Sequence, residues 1–419
     1  MLKFDKQETN GRSVISALFD AGTFVEMGAF IRRRGENEPY DAVITGYGSV
    51  QGKLAFAFVQ DSDRKAGALD EIGADKIEKL YAQALCVGAP VIGAFDSAGA
   101  VVYDGATALS AYGRVMKCVS NASGIIPQIA LISGICTGMA ADIAAMFDFT
   151  VATEEKANEF TALVSENPIM SIRDLVELLP RNNKDVNSVE PTDDVARAVS
   201  LDNGVETLAD HALLTTLYKG LGKEVSVSLC RMGGETTGLI SLSGKLTADG
   251  ARKAAHIVSF CDSFSIPVVT TVDSNGVDHN DSASASAYGK LAKAYITATT
   301  AKVTAVIGKA YGAAFTLMGS HALGADLSLA VEDSVISVLD PETAVAFAMN
   351  DKITTEKSRA EVEAEWRETY ASPLAAAECG DIDDIVPKEE LRARIISALY
   401  MLAEKADGAP DRKHGVPTL

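Results

Sequence analysis

Residues 302–319 read KVTAVIGKAYGAAFTLMG, and a second copy of the same design occupies 127–141, PQIALISGICTGMAA. In the later copy, 303–307 is a short apolar, β-branched run that reads as a buried strand. Gly308 is expected to end it, and 310–315 is a small-residue turn opening a helix. Small residues leave backbone N–H groups uncovered at the positive end of a helix dipole. Such a turn can hold a developing oxyanion without any charged side chain.

Each copy has a second glycine turn upstream, and the register between copies is regular. APVIGAFDSAG (89–99) matches IPVVTTVDSNG (266–276) at a spacing of 177, sharing Asp-Ser-x-Gly. PQIALISGICTGMAA (127–141) matches AKVTAVIGKAYGAAF (301–315) at a spacing of 174, without a gap. Period-two hairpins precede both: 42–50 and 53–61 around Gln51 and Gly52, then 225–231 and 236–242 around MGGE. Helical spacing covers 72–87, with Lys76, Glu78 and Lys79 on its wet side, and again 107–119 and 251–264. Matched order across four elements predicts an α/β chain built by duplicating a unit of roughly 170 residues, a domain rather than a solenoid repeat.

Around that frame the chain divides into a helical lead-in at 1–40, a first domain at 41–165, a linker at 166–222, a second domain at 223–400 and a tail at 401–419. The lead-in carries a helix at 14–19 and the basic turn IRRRGENEP. The linker rests on 181–203, rich in Asn, Asp, Pro and charge.

A net charge of −19 argues against duplex nucleic acid, whose phosphates need clustered Lys and Arg. A phosphate-bearing ligand would need a local basic pocket, for which Arg32, Arg33 and Arg34, or Arg114 and Lys117, are the candidates. The cysteines at 86, 118, 136, 230, 261 and 379 form no CxxC pair, and read as buried reduced thiols of a cytosolic protein. The start, MLKFDKQETN, is polar and lacks a signal-peptide core. The apolar stretch 125–147 is broken by Pro127, Gln128, Gly134, Gly138 and Asp142, so no membrane insertion is expected. No GxSxG elbow, P-loop, HExxH or clustered His/Cys spacing occurs, and no metal is expected. DSAGA is not a dinucleotide loop, lacking GxGxxG and the acid on the next strand. What remains is paired backbone donors, suited to an enolate at a thioester.

The order Gly134, Gly138, Asp142, Asp148 resembles the second oxyanion turn of the crotonase superfamily. The duplicated chain resembles one branch of it, the biotin-dependent acyl-CoA carboxyltransferases of the propionyl-CoA carboxylase beta and methylmalonyl-CoA decarboxylase alpha type. The pieces that carry the resemblance are LFDAGTFVE (18–26), VITGYGSVQGKLAFAFVQD (43–61), GAPVIGAFDSAGA (88–100), SGIIPQIALISGICTG (123–138), KAAHIVSFCDSFSIPVV (253–269), KAYGAAFTLMGSHALGADL (309–327) and LDPETAVAFA (339–348).

The resemblance implies two crotonase-like (ClpP/crotonase) β-β-α spiral domains, the first for acyl-CoA and the second for biotin. It also implies a site formed between the first half of one subunit and the second half of another. By carry-over, Ala98, Gly99, Ala100, Gly138 and Met139 surround the thioester oxygen. Gly276, Val277, Gly312, Ala313 and Ala314 surround the ureido oxygen of biotin, with Gly276, Ala313 and Ala314 as its binding residues. The implied reaction decarboxylates N-carboxybiotin, whose anion takes the acyl α-proton, and the enolate captures CO₂. The reverse decarboxylates a malonyl-type thioester. No Met-Lys-Met site occurs, so the biotin is expected on a separate biotin carboxyl carrier protein, with biotin carboxylase or decarboxylase-pump subunits as further partners. A cytoplasmic homo-oligomer, dimer or hexamer, is implied as well.

Some residues depart from the family pattern. DSAGAVVYDG stands where two glycines and an Arg are usual, and SNGVDHND replaces a Gly-Phe and Pro-Gly loop. The linker and the N-terminal helical region are shorter. Asp142 stands where carboxyltransferases generally carry no acid and where hydratases hold a catalytic one. It either caps the helix start or acts as a general base. A biotin-independent acyl-CoA hydratase or decarboxylase using Asp142, and a non-catalytic subunit of a carboxylase complex, are therefore the alternatives. Asp278, His279 and Asp281 read as solvated loop, His321 as a packed helix-end residue, and Asp148 and Asp326 as structural residues at strand entries.

Overall fold

Tight turns with two positive-φ residues start both sheets. Val43–Val50 (β2) and Lys53–Gln60 (β3) are joined by Gln51 and Gly52, at φ +50° and +76°. Val225–Met232 (β9) and Glu235–Ser243 (β10) are joined by Gly233 and Gly234, at φ +60° and +83°. Two positive φ values give the turn whose twist matches a right-handed hairpin.

The computed structural model describes residues 8–31 and 41–406, with 408 and 416. The chain forms two units, Met1–Asn187 and Ser188–Leu419. In unit 1, Val25–Met27 (β1), β2 and β3 are antiparallel neighbours. Val91–Ser97 (β4), Gln128–Cys136 (β5), Phe149–Ala152 (β6) and Leu163–Val164 (β7) follow in parallel. Among the described residues unit 2 repeats this plan in an eight-stranded sheet, with Thr215–Leu217 (β8), β9, β10, Val268–Ser274 (β11), Lys302–Tyr311 (β12), Leu327–Val331 (β13), Val335–Ser337 (β14) and Asp384–Val386 (β15). Val91 pairs with Gln128, and Val268 with Lys302, so the sequence offsets reappear as sheet register.

Helices cover the sheets. In unit 1 they are Asn10–Leu18 (α1), Glu71–Val87 (α2), Ala106–Ala122 (α3), Met139–Ala145 (α4) and Pro168–Leu178 (α5). In unit 2 they are Ala248–Ser263 (α6), Ser284–Thr297 (α7), Ala313–Leu317 (α8), Pro341–Ala348 (α9), Arg359–Tyr370 (α10), Pro373–Glu378 (α11) and Leu391–Leu402 (α12). Asp70 caps α2 by accepting from Gly73 N–H at 2.9 Å, and Thr247 caps α6 by accepting from Gly250 N–H at 3.2 Å. In the first core Phe58, Phe95 and Phe147 meet edge to face, with centroids 5.6–6.3 Å apart. A Cβ at Gly93 would stand 2.6 Å from Phe58, so that glycine makes room for the cluster.

Several expectations need correction. Gly308 does not end its strand, because β12 runs through it to Tyr311; β5 likewise runs through Gly134. The stretch 166–222 contains α5 and β8, because 168–178 has an Asn167 cap and a buried apolar face of Ile172, Leu175 and Val176. The loop holding Asp278, His279 and Asp281 is short, since α7 begins at Ser284.

Lys76 is not on the wet side of α2 but 5% exposed, its ammonium bonded to Val43 O with Asp41 4.0 Å away. Burial holds its pKa below the ordinary lysine value, against the opposing pull of Asp41. Lys253 on α6, 177 residues later, is buried too and donates to Leu221 O at 2.5 Å and Tyr218 O at 3.3 Å; burial brings its pKa down to about 8. Each lysine ties its helix to the chain entering a hairpin.

Of the six free cysteines only Cys230 and Cys261 are buried, while Cys86 and Cys379 are exposed. Among the described residues no helix is long and apolar enough to cross a membrane.

Candidate active site

The shared Asp-Ser-x-Gly has a physical reason in both units. Asp96 Oδ1 accepts the Ile135 N–H at 2.9 Å, and Asp273 Oδ1 accepts the Lys309 N–H at 2.9 Å. Each aspartate clamps a register shift in the neighbouring strand, where Ser97 pairs with Cys136 and Ser274 with Ala310. A Cβ on Gly134 or Gly308 would lie 2.0 or 2.5 Å from the clamping carboxylate. Those two glycines are there for the clamp.

The serine then shapes the turn. Ser97 Oγ accepts from Gly99 N–H at 3.1 Å, and Ser274 Oγ accepts from Gly276 N–H at 3.1 Å. Gly99 stands at φ +115° and Gly276 at φ +114°, a region essentially reserved for glycine. Leu69 N–H bonds Gly99 O at 3.2 Å, and Leu246 N–H bonds Gly276 O at 3.0 Å. The second turns agree as closely: Gly138 has φ 57° and ψ −137°, Gly312 φ 56° and ψ −139°. Both precede a helix directly.

Hydrogen-bond accounting separates the sequence candidates into two groups. Ala98 N–H is taken by Ala66 O at 2.9 Å, Gly99 and Gly276 N–H by the serines, and Gly312 N–H by Ser337 O at 2.9 Å. Ala100 follows Gly99, and Val277 follows Gly276, one on each isolated bridge to Leu69 and Leu246. Met139 and Ala313 open α4 and α8, where no preceding carbonyl within the helix can take their N–H; Ala314 is second in α8. So each unit brings a glycine-shaped turn and a helix start to the carboxyl ends of adjacent parallel strands. The glycines fix the path, and among the described residues the Ala100, Met139, Val277 and Ala313 amides have no partner outside their own bridge or helix.

The glycines also leave space. A Cβ at Gly99 or Gly138 would meet nothing within 4 Å, and at Gly276 only Tyr311 O at 3.8 Å. At Gly312 it would lie 3.3 Å from Val338 O. This is a cradle that the chain's own atoms do not fill, with only neutral donors on it, and it fits a neutral carbonyl or ureido oxygen that gains charge during reaction.

The remaining candidates fall outside this geometry. Asp142 is exposed in the first turn of α4, and no hydrogen bond to its carboxylate occurs among the described residues. Asp148 Oδ2 accepts the Gln128 N–H at 2.8 Å, and Asp326 Oδ2 accepts the Lys302 N–H at 2.8 Å, so both pin strand entries. Burial pushes the Asp148 carboxyl up to about 7, whereas Asp326 has the Lys405 ammonium 2.8 Å away. Asp278 and Asp281 cap their own loop by accepting from Asn280 and Ala283 N–H, each at 2.9 Å, and His279 lies edge-on to Tyr288. His321 is exposed at the start of a short 3₁₀ turn rather than packed. Arg114 is engaged by Glu78 and Asp75, while Arg32, Arg33 and Arg34 lie outside the described residues. Sequence reading missed the serine caps and the Leu69 and Leu246 bridges, although the Asp-Ser-x-Gly repeat signalled the first of these.

Comparison with known proteins agrees with this geometry. The family described as the carboxyl transferase domain matches residues 5–163 and again 157–417. The carboxyltransferase subunit of propionyl-CoA carboxylase from Haloferax mediterranei is 31% identical over 484 aligned positions, covering 98% of this chain and 93% of that protein. Methylmalonyl-CoA decarboxylase subunit alpha from Propionigenium modestum is 32% identical over 488 positions, covering 99% and 94%. The crystal structure of transcarboxylase 12S, a hexamer with methylmalonyl-coenzyme A and methylmalonic acid bound, superposes with a TM-score of 0.91 at 28% identity, covering 99% of this chain and 93% of that one. Both sequence alignments are longer than the 419 residues here, so those relatives carry segments this chain lacks.

Proposed function

The chain belongs to the carboxyl transferase family and has its duplicated crotonase-like fold, and from that premise we propose that it moves a carboxyl group between N-carboxybiotin on a carrier protein and the α-carbon of an acyl-CoA. Propionyl-CoA and methylmalonyl-CoA are the substrate pair that its relatives' names favour, with acetyl-CoA and malonyl-CoA as the smaller alternative. The observation that carries the reading is the pair of equal cradles, Gly99 with Gly138 and Gly276 with Gly312, each leaving two amides for one oxygen.

In this mechanism the domain at 41–165 receives the thioester and that at 223–400 receives biotin. The Ala100 and Met139 amides hold the negative charge that grows on the thioester oxygen as the α-proton leaves. Carboxylated biotin supplies the carboxyl group and, once that has gone, the base for the proton. Val277 and Ala313, supported by Ala314 behind them, hold the charge on the ureido oxygen. Each preorganised donor is worth about 3 kcal/mol in a site closed to water. Because both charges rest on backbone amides, no side chain has to ionise during transfer. The serine caps and aspartate clamps keep the donors from collapsing onto their own carbonyls.

On the same reading the protein is a cytoplasmic homo-oligomer, dimer or hexamer, working with a biotin carboxyl carrier protein and with biotin carboxylase or decarboxylase-pump subunits. The hexameric assembly of transcarboxylase 12S supports the oligomer. The test is turnover of methylmalonyl-CoA and malonyl-CoA with and without biocytin. Loss of the substrate carboxyl only when biocytin is present is the expected result, and the faster substrate identifies the acyl group. Biocytin-independent loss that disappears in Asp142→Asn would replace this mechanism with a crotonase-type decarboxylase. No loss with biocytin or with an uncarboxylated biotin carrier would leave a non-catalytic subunit.

A further inference from the structure

The two units part company beside their second turns. In unit 2, β14 lies along the end of β12, pairing Lys309 with Val335, Ala310 with Ile336 and Tyr311 with Ser337, and Ser337 O takes the Gly312 N–H at 2.9 Å. Unit 1 has no such strand among the described residues. There β6 accompanies β5 only from Ile129 to Ile132, and residues 153–162 pass through a short 3₁₀ turn, Glu154–Lys156, into β7. At the spacing of 174, Cys136, Thr137 and Gly138 stand where Ala310, Tyr311 and Gly312 stand.

The end of β5 is therefore an open edge. Thr137 and Gly138 are exposed, whereas Tyr311 is buried and Gly312 half-buried. The Gly138 N–H has no hydrogen-bond partner among the described residues. Main-chain groups alternate sides along a strand, so the Cys136 carbonyl, two residues back, faces the same way. Further back, the Lys156 ammonium donates to Ser133 O and pairs with no carboxylate among the described residues, although Glu154 and Glu155 share its turn. One donor, one acceptor and one cation thus lie in a row that ends at Met139, the first residue of α4. Unpaired groups on such an edge are a template for another extended chain that carries amides.

We propose that this edge receives the pantetheine arm of the acyl-CoA: an arm carbonyl takes the Gly138 N–H, an arm amide donates to the Cys136 carbonyl, and the diphosphate lies against Lys156. This rests on the reading that the first unit receives the thioester. The arm is itself an extended chain with two amides. Its thioester sulfur and nearer phosphorus are about thirteen bonds apart, the reach of about four extended residues, or about 15 Å. The strand from Gly138 back to Ser133 covers about 16 Å. In unit 2 the same place is filled by β14, which leaves no edge for such an arm beside the turn assigned to biotin.

Lys156→Gln in the full chain tests the phosphate end, with biocytin as acceptor. Its KM for methylmalonyl-CoA rises about fivefold, while that for methylmalonyl-pantetheine, which has no diphosphate, stays at the parent value. An equal rise for both esters would overturn the contact, since Lys156 would then only support the Ser133 carbonyl, and so would no rise for either. Methylmalonyl-pantetheine methylated at the cysteamine nitrogen tests the edge. It has no N–H to give Cys136, and its kcat/KM falls about tenfold, the worth of one hydrogen bond. Parent-like turnover of this analogue overturns the pairing. Should the parent itself transfer nothing, the proposed function fails separately, and amide exchange in peptides spanning 133–138 decides. Coenzyme A, which has no thioester oxygen, slows exchange there if the edge receives its arm, and unchanged exchange refutes the proposal. Protection already present without ligand and lost on dilution would give the edge to a second copy of this chain, and overturns it too.

Discussion

The first and second units carry the same turn dihedrals and surround them with different chemistry. Gly138 and Gly312 differ by 1° in φ and 2° in ψ, yet one opens a helix carrying exposed Asp142 and the other a helix with Thr316 in its place. After Gly99 come Val102 and Tyr103, 85% and 100% exposed; after Gly276 comes a loop that caps itself through Asp278 and Asp281. The duplication has kept the backbone and released the side chains. That is the pattern expected where amides, and not side chains, hold the charge.

The sharpest way to break the comparison is to spoil one cradle at a time. Gly138→Val and Gly312→Val each force a side chain into a region of dihedral space that only glycine adopts readily, and each is expected to lower transfer by about 10²–10³. Calorimetry then separates the units: Gly138→Val weakens methylmalonyl-CoA binding and spares biocytin, while Gly312→Val does the reverse. Equal damage to both ligands from either variant would show that the cradles are not divided between substrates.

Next comes the pair at the strand entries. The folded Asp148 carboxyl titrates at about 7 against an ordinary 3.8, so the folded chain holds this proton more tightly than the unfolded chain does. Below both values nothing is lost. Between them the unfolded chain ionises first and stability falls as pH rises, and above about 7 the full cost stands, at most a few kcal/mol. Asp148→Asn keeps an oxygen for Gln128 N–H and is expected to raise the urea midpoint at pH 8 but not at pH 3.5. Asp326→Asn, losing Lys405, is expected to lower the midpoint at neutral pH, a stability loss of about 1 kcal/mol. Losses in both variants at pH 8 would mean that the two aspartates serve their strands in the same way.

The smallest effect belongs to Asp142→Asn. An exposed carboxylate outside the cradle should change biocytin-dependent transfer by less than about threefold, measured as kcat/KM. A general base would instead cost about 10²–10⁴.

Most of the fold was legible because it is periodic. Alternation gave the hairpins, β-branched runs gave the parallel strands, and the offsets of 177 and 174 gave their pairing. Gly308 misled, since a glycine that makes room for a carboxylate inside a strand looks like one that ends it. Lys76 misled for a related reason: periodicity assigns a charged residue to water, and only the fold supplies the Val43 carbonyl that receives its ammonium. The candidate turns were visible as small residues. Which amides are already consumed was not, because Ala66 O and Ser337 O come from other elements.

The buried lysines Lys76 and Lys253 can serve as chemical reporters. An ammonium folded against backbone carbonyls is closed to amine-directed reagents until its helix lifts away. Brief acetylation followed by peptide mass spectrometry would read Lys76 as a clock for the opening of α2 and Lys253 as one for α6, two independent rates from a single unlabelled chain. Whichever lysine tags sooner marks the unit whose turn is held by the less stable scaffold.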